Sequence, residues 1–217
     1  ELGLSTFDDD AFMAKYNGNG DLLWVKKIFT HTGTYDNNLV DIKVDNAGDL
    51  VFTGSCKYPT SILGSAQGQG VFIGKMDKDA NLIWLNFESS VSTSDSNPNT
   101  LGNRIGFDPQ QNILWYTDQI STGGGQNVGG LAVIKYTPGG TKQSNMFVTR
   151  NPDNYHPTLS DFAVDDEGNF IVSGYFRFSI ALQGGPSLIN NVTATYSTQF
   201  FLAKFSPDGN FLWTVHS

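Results

Sequence analysis

The chain has 217 residues, 24 of them glycine, with 13% aromatic residues, 16% charged residues and a formal net charge of −8. That mixture suits glycine-punctuated aromatic strands and excludes a helical protein rich in Ala, Glu, Lys and Leu. The negative charge repels phosphate backbones, which excludes nucleic acid as a partner, and no apolar run is long enough to predict a membrane-spanning helix.

In chain order the first predicted element is "FMAKYNGNGDLLWVKKI", apolar residues alternating on both sides of a polar, glycine-bearing turn. Two-residue alternation around such a turn predicts a β-hairpin. "DIKVDNAGDLVFTGS" follows with the same form, and then the first phrase returns as "FIGKMDKDANLIW". "RIGFDPQQNILWYTD" is a divergent second phrase, "VIKYTPGGTKQS" a divergent first one. "DFAVDDEGNFIVSGY" and "FLAKFSPDGNFLW" complete the series. Aligned on Lys15, Lys75, Lys135 and Lys204, the first phrase recurs at intervals of 60, 60 and 69 residues. Aligned on Asp45, Asp108 and Asp165, the second recurs at 63 and 57. No helix longer than a turn is predicted.

One period is therefore four antiparallel strands, in units of approximately 1–36, 37–98, 99–156 and 157–217. A lone four-stranded sheet cannot bury both faces, and stacking sheets around an axis solves that problem. The expected fold is an all-β propeller of about three and a half blades, part of a larger one. Half a blade leaves strand edges open to pairing with missing blades or with another chain. Two copies making seven blades, or an irregular closure using "ELGLSTF" or the insertion "SIALQGGPSLINNVTATYSTQ", are the alternatives.

"DAFMAKYNGNGDLLW" with "VDNAGDLVFTGS", and best of all "FLAKFSPDGNFLW" with "FAVDDEGNFIVSGY", resemble the bacterial SBBP-type β-propeller repeat over nearly the whole chain. The resemblance implies a propeller fold and an exported, extracellular or cell-surface bacterial protein. It carries no catalytic motif, so no catalytic residue is transferred. An export leader is not read from the sequence either.

Candidate site residues come from where the repeats diverge. Asp41, Arg104 and Asp161 each stand four residues before the repeat aspartate and differ in charge. If the second phrase is innermost, all three approach one mouth of a central channel, joined by loop residues Tyr35, Asp36, Tyr155 and His156. Exposed Tyr35, Tyr58, Tyr155 and Tyr175 are candidate sugar platforms. The expected function is a non-catalytic binding or scaffold module for a protein or a glycan. The alternatives are a carbohydrate-active hydrolase or lyase using carboxylates such as Asp41 and Asp161, and a scaffold subunit of a surface or secretion machine. No cofactor is expected. Calcium at the acidic turns is the one alternative, although none of them matches a D-x-D-x-D-G loop. His31, His156 and His216 lack zinc spacing. Cys56 reads as a small strand residue rather than a nucleophile.

The recurring lysine is expected to pack on the tryptophan nine residues on, with Met13 facing Trp24, and to pair with a neighbouring blade's carboxylate.

Overall fold

One turn is used seven times. Asn17, Asp45, Asp77, Asp108 and Asp165 each accept, on side-chain Oδ1, the amides two and four residues on. Thr137 and Ser206 use a hydroxyl for the amide four residues on. The fourth residue is left-handed every time, with φ from +62° to +87°, at Gly20, Gly48, Ala80, Gln111, Gly140, Gly168 and Gly209. Short polar side chains that cap the local backbone, followed by a residue tolerant of positive φ, set this geometry from sequence alone.

The computed structural model describes residues 11–30, 37–56, 60–67, 70–88, 103–117, 131–150, 157–191 and 197–217. Among them are twenty strands and no helix, and the sheets are open and antiparallel. Strands β1 (Phe12–Tyr16) and β2 (Leu22–Lys27) form a two-stranded sheet. The first four-stranded sheet is β4 (Asn37–Val44), β5 (Leu50–Cys56), β8 (Gly70–Met76) and β9 (Leu82–Glu88), in that order. The second is β10 (Asn103–Phe107), β11 (Ile113–Thr117), β12 (Ala132–Tyr136) and β13 (Lys142–Phe147). The third is β15 (Thr158–Val164), β16 (Phe170–Phe176), β19 (Gln199–Phe205) and β20 (Phe211–His216). Each sheet is thus a second-phrase hairpin followed by a first-phrase hairpin.

Two small sheets escaped the sequence reading. Strand β3 (Phe29–Thr30) pairs with β6 (Thr60–Ile62), which pairs with β7 (Ser65–Gln67). In the same way β14 (Thr149–Arg150) pairs with β17 (Ser179–Leu182) and that with β18 (Ser187–Ile189). Residues 179–189 of the long insertion therefore form a side ribbon, tying the chain that leaves one first-phrase hairpin to the following repeat. "ELGLSTF" lies outside the described residues.

Register corrects one local expectation. A shift after Lys15 makes Lys15, not Met13, the partner of Trp24, while Met13 pairs with Lys26. The shift recurs after Lys75, Lys135 and Lys204, where the wide turn meets the strand.

Glycine marks a second recurring device. Strands β4 and β15 each carry a bulge, between Leu39 and Asp41 and between Leu159 and Asp161. The opposing residues are Gly54 and Gly174, where a Cβ would lie 1.9 Å from the Asn38 carbonyl oxygen and 2.4 Å from that of Thr158. On their other side these glycines pair with Phe72 and Phe201. In the second sheet β10 pairs without a bulge, Thr117 replaces the glycine, and its neighbour is Ala132. Volume moved from one strand to the next. The divergent copy is a compensated exchange rather than a decayed one.

The described residues fall into two compact units, one from Ala11 to Glu88 and the other from Asn103 to Ser217. The first unit's core gathers Met13, Ile28, Phe29, Phe52, Phe72 and Met76, with Phe72 edge-on to Phe29 at 5.9 Å and stacked on Phe87 at 6.0 Å. In the second unit the second sheet's Leu114, Tyr116 and Val133 share a core with the third sheet's Phe170, Val172 and Phe205.

Candidate functional site

The most regular charges in the chain hold its sheets together. Lys75 Nζ lies 2.7 Å from Asp45 Oδ2 and 3.1 Å from Asp49 Oδ2. Lys135 meets Asp108 at 2.8 Å, and Lys204 meets Asp165 at 2.8 Å. Each repeat aspartate therefore does two jobs: Oδ1 caps its turn and Oδ2 takes the lysine of the adjoining first-phrase strand. The expected partner was a neighbouring blade's carboxylate; the observed one belongs to the second-phrase hairpin of the same sheet. Burial alone would raise the Asp45 carboxyl, but hydrogen bonds from Lys75 and from the Asp49 and Ala47 amides outweigh it and hold the group below the usual range. Asp108 follows the same balance, with Lys135 and Asn112 outweighing burial. Asp165 is held well below it by Lys204 and Asn169. Lys75 is raised: burial opposes its charge, and the two aspartates prevail.

Lys15 is different. Its ammonium donates to the Lys78 carbonyl oxygen at 3.1 Å, and the Trp24 indole donates to the same oxygen at 3.0 Å.

The divergent residues sit on the edge strands β4, β10 and β15 of the three four-stranded sheets. Asp161 and Asp41 each accept their following amide, of Phe162 and Ile42, at 2.8 Å, so both carboxylates stand at bulges in one conformation. Arg104 Nε approaches Asp161 Oδ1 to 3.8 Å, and Arg104 Nη2 donates to the Ser160 carbonyl oxygen at 3.3 Å. Arg104 and Asp161 are thus brought together, with the Asp161 side chain 81% exposed. Asp41 belongs to the other compact unit, where it borders a groove with Phe12, Ala14 and Leu39. Tyr35 and His156 lie outside the described residues, as do Asp36, Tyr58, Tyr155 and His31.

Sequence reasoning missed Asn37 and Asn103. Both are buried at the start of an edge strand, β4 or β10, and among the described residues neither side-chain amide has a hydrogen-bond partner. Such groups call for an ordered water or a ligand atom. A buried asparagine leaves no periodic signature, so only "NN" and "GN" ahead of apolar strands mark them.

Tyr175 is exposed and edge-on to Phe200 at 5.9 Å. Its equivalent in the first sheet is Ser55, that of Phe200 is Val71, and both equivalents are buried. The tyrosine therefore stands on a packing face of the repeat. The acidic turns at Asp77 and Asp165 spend their oxygens on turn amides and on Asn81, Asn169 and Lys204. Cys56 is buried, and burial pushes its thiol up to about 12. His216 is exposed on β20.

No protein-family model matches the chain, and a search of curated proteins returns no match.

Proposed function

We propose that the chain is a non-catalytic β-propeller module of an exported, cell-surface bacterial protein of the SBBP-repeat type, acting to bind or scaffold a protein or a glycan. One observation carries the reading. Tyr116, Leu131 and Val133 on one face of the second sheet are fully buried, and the Tyr116 ring lies tilted at 5.4 Å from Phe162 of the third sheet. The same face of the third sheet carries Ser173, Tyr175, Phe200 and Leu202, with Tyr175 46% and Phe200 37% exposed. Sheets of one internal order that stack face on face, leaving one such face bare, suit a radial array that accepts more β structure. The recurring lysines and aspartates are used in holding hairpins together. Ligand contact then falls to the divergent Arg104–Asp161 pair and to Asp41.

A glycan array and a panel of chromogenic glycosides, applied to the wild type and to Arg104→Ala and Asp161→Ala, test this. Binding without turnover that weakens about tenfold in either variant is the expected outcome, a loss of about 1.4 kcal/mol. Release of the chromophore would instead assign the carbohydrate-active reading to these carboxylates. Binding that neither substitution moves would remove the innermost strand from the site.

A further inference from the structure

By repeat position β1–β2 matches the first-phrase hairpin of each four-stranded sheet, and among the described residues β1 pairs with β2 alone. In each four-stranded sheet the first-phrase strand receives a second-phrase hairpin on its inner edge, at β5–β8, β11–β12 and β16–β19. Three contacts recur there. An aliphatic residue pairs with the lysine: Val51 with Lys75, Leu114 with Lys135, Ile171 with Lys204. The hairpin's turn aspartate bonds that lysine. Where the strand carries phenylalanine, glycine stands opposite, as Gly54 does to Phe72 and Gly174 to Phe201.

Strand β1 repeats the receiving pattern, with Phe12 aligned on Phe72 and Phe201, and Tyr16 on Met76, Tyr136 and Phe205. Yet Phe12 is 56% and Tyr16 58% exposed, where those equivalents are buried. The facing strand β4 shows the matching deficit. Ile42 and Val44 are exposed, while Phe162 and Val164 at the same repeat positions pack against the preceding inner hairpin, at Tyr116 and Gly106. A groove of about 350 Å³ runs between β1 and β4, bordered by Phe12, Ala14, Leu39 and Asp41.

We infer that the inner edge of β1 takes up an acidic-turned β-hairpin from outside the described residues, antiparallel, with the turn aspartate on Lys15, glycine opposite Phe12 and a basic residue toward Asp41. The last feature follows from Arg104, which approaches Asp161, the repeat equivalent of Asp41. Main-chain pairing supplies the binding, and alternate side chains supply the choice of partner. The three second-phrase hairpins among the described residues already pair with β8, β12 and β19, so the occupant is none of them. This inference concerns a different surface from the Arg104–Asp161 pair and stands or falls apart from ligand binding there.

The test adds a labelled synthetic peptide of residues 158–176 carrying Asp161→Arg to the 217-residue protein and follows fluorescence anisotropy. Saturable one-to-one binding is expected, with slowed amide exchange over Phe12–Tyr16. Lys15→Glu should weaken binding by at least about tenfold, as expected for a lost charge-assisted contact, and Asp165→Lys in the peptide should restore it. Gly174→Thr in the peptide should abolish binding while leaving the protein untouched, so a misfolded variant cannot imitate the result. The proposal is overturned by an absence of saturation, or by binding indifferent to both the charge exchange and Gly174→Thr. It also fails if the protein pairs with itself through β1 and the peptide does not displace that pairing.

Discussion

The hairpins β1–β2 and β8–β9 are written in nearly the same words and live in different surroundings. Both place a lysine opposite a tryptophan, Lys15 with Trp24 and Lys75 with Trp84, and both shift register after that lysine. All seven residues of β8 are buried, whereas β1 buries one side chain, Met13, and exposes Phe12 and Tyr16. Lys75 reaches two carboxylates; Lys15 reaches a neutral carbonyl. The same phrase therefore becomes core where a second-phrase hairpin pairs with it, as β5 does with β8, and stays exposed in β1.

The aromatic pair is where the comparison should break hardest. Phe72 is fully buried among Phe29, Phe52 and Phe87, so Phe72→Ala removes a large side chain from a packed site and should cost about 3–5 kcal/mol. Phe12→Ala changes a surface residue and should stay within about 0.5 kcal/mol. Urea unfolding of the two variants measures both. Equal losses would show that β1 is covered in solution.

The lysines give the next effect. Side-chain exposure is 8% for Lys75 and 9% for Asp45, so Lys75→Ala leaves two carboxylates without their cation and should cost about 2–3 kcal/mol. Lys135→Ala and Lys204→Ala should cost less, with side chains 20% and 22% exposed, and Lys15→Ala least of all. Acid sharpens the same ranking. Asp45, Asp108 and Asp165 have folded values below the unfolded carboxylate value of about 3.9, so the unfolded chain binds protons first. Their contribution is present above about pH 4 and is lost as pH falls through the folded values. Lys75 runs the other way: raised above 10.5, it contributes fully below that value and loses its contribution as pH climbs through the folded one. Acid titrations of stability should be flattened by Lys75→Ala and unchanged by Lys15→Ala.

Much of this was legible because it is periodic. Turn heads, alternating apolar residues and the recurring lysine predicted all-β, four-stranded antiparallel sheets, which the structure has. The lysine's partner was not legible, because strand order within a sheet decides which aspartate it meets. Nor was the reason for Thr117: a glycine replaced by threonine looks like drift until Ala132 is seen beside it and no bulge opposite. Side ribbons of two to four residues per strand are too short to show a period, β3 and β14 least of all. At the candidate site, Asp161 and Arg104 were legible as departures from the repeat, while Asn37 and Asn103 carry no pattern.

The turns give the smallest test, and the one that asks whether the two hairpins differ only in their surroundings. Gly20 holds φ +87° with nothing within 4 Å of where its Cβ would stand, so Gly20→Ala meets only the left-handed penalty, about 1 kcal/mol. Ala80 already occupies that conformation in β8–β9, at φ 65°, with its methyl buried in the core. Packing there offsets the backbone cost; at Gly20 nothing does. Amide exchange across β1–β2 should therefore quicken about fivefold in Gly20→Ala, the ratio that 1 kcal/mol sets, while exchange in β8 stays unchanged. A quickening that spreads to β8 would mean that the first hairpin unfolds together with the sheet behind it, and that its bare edge is no measure of its independence.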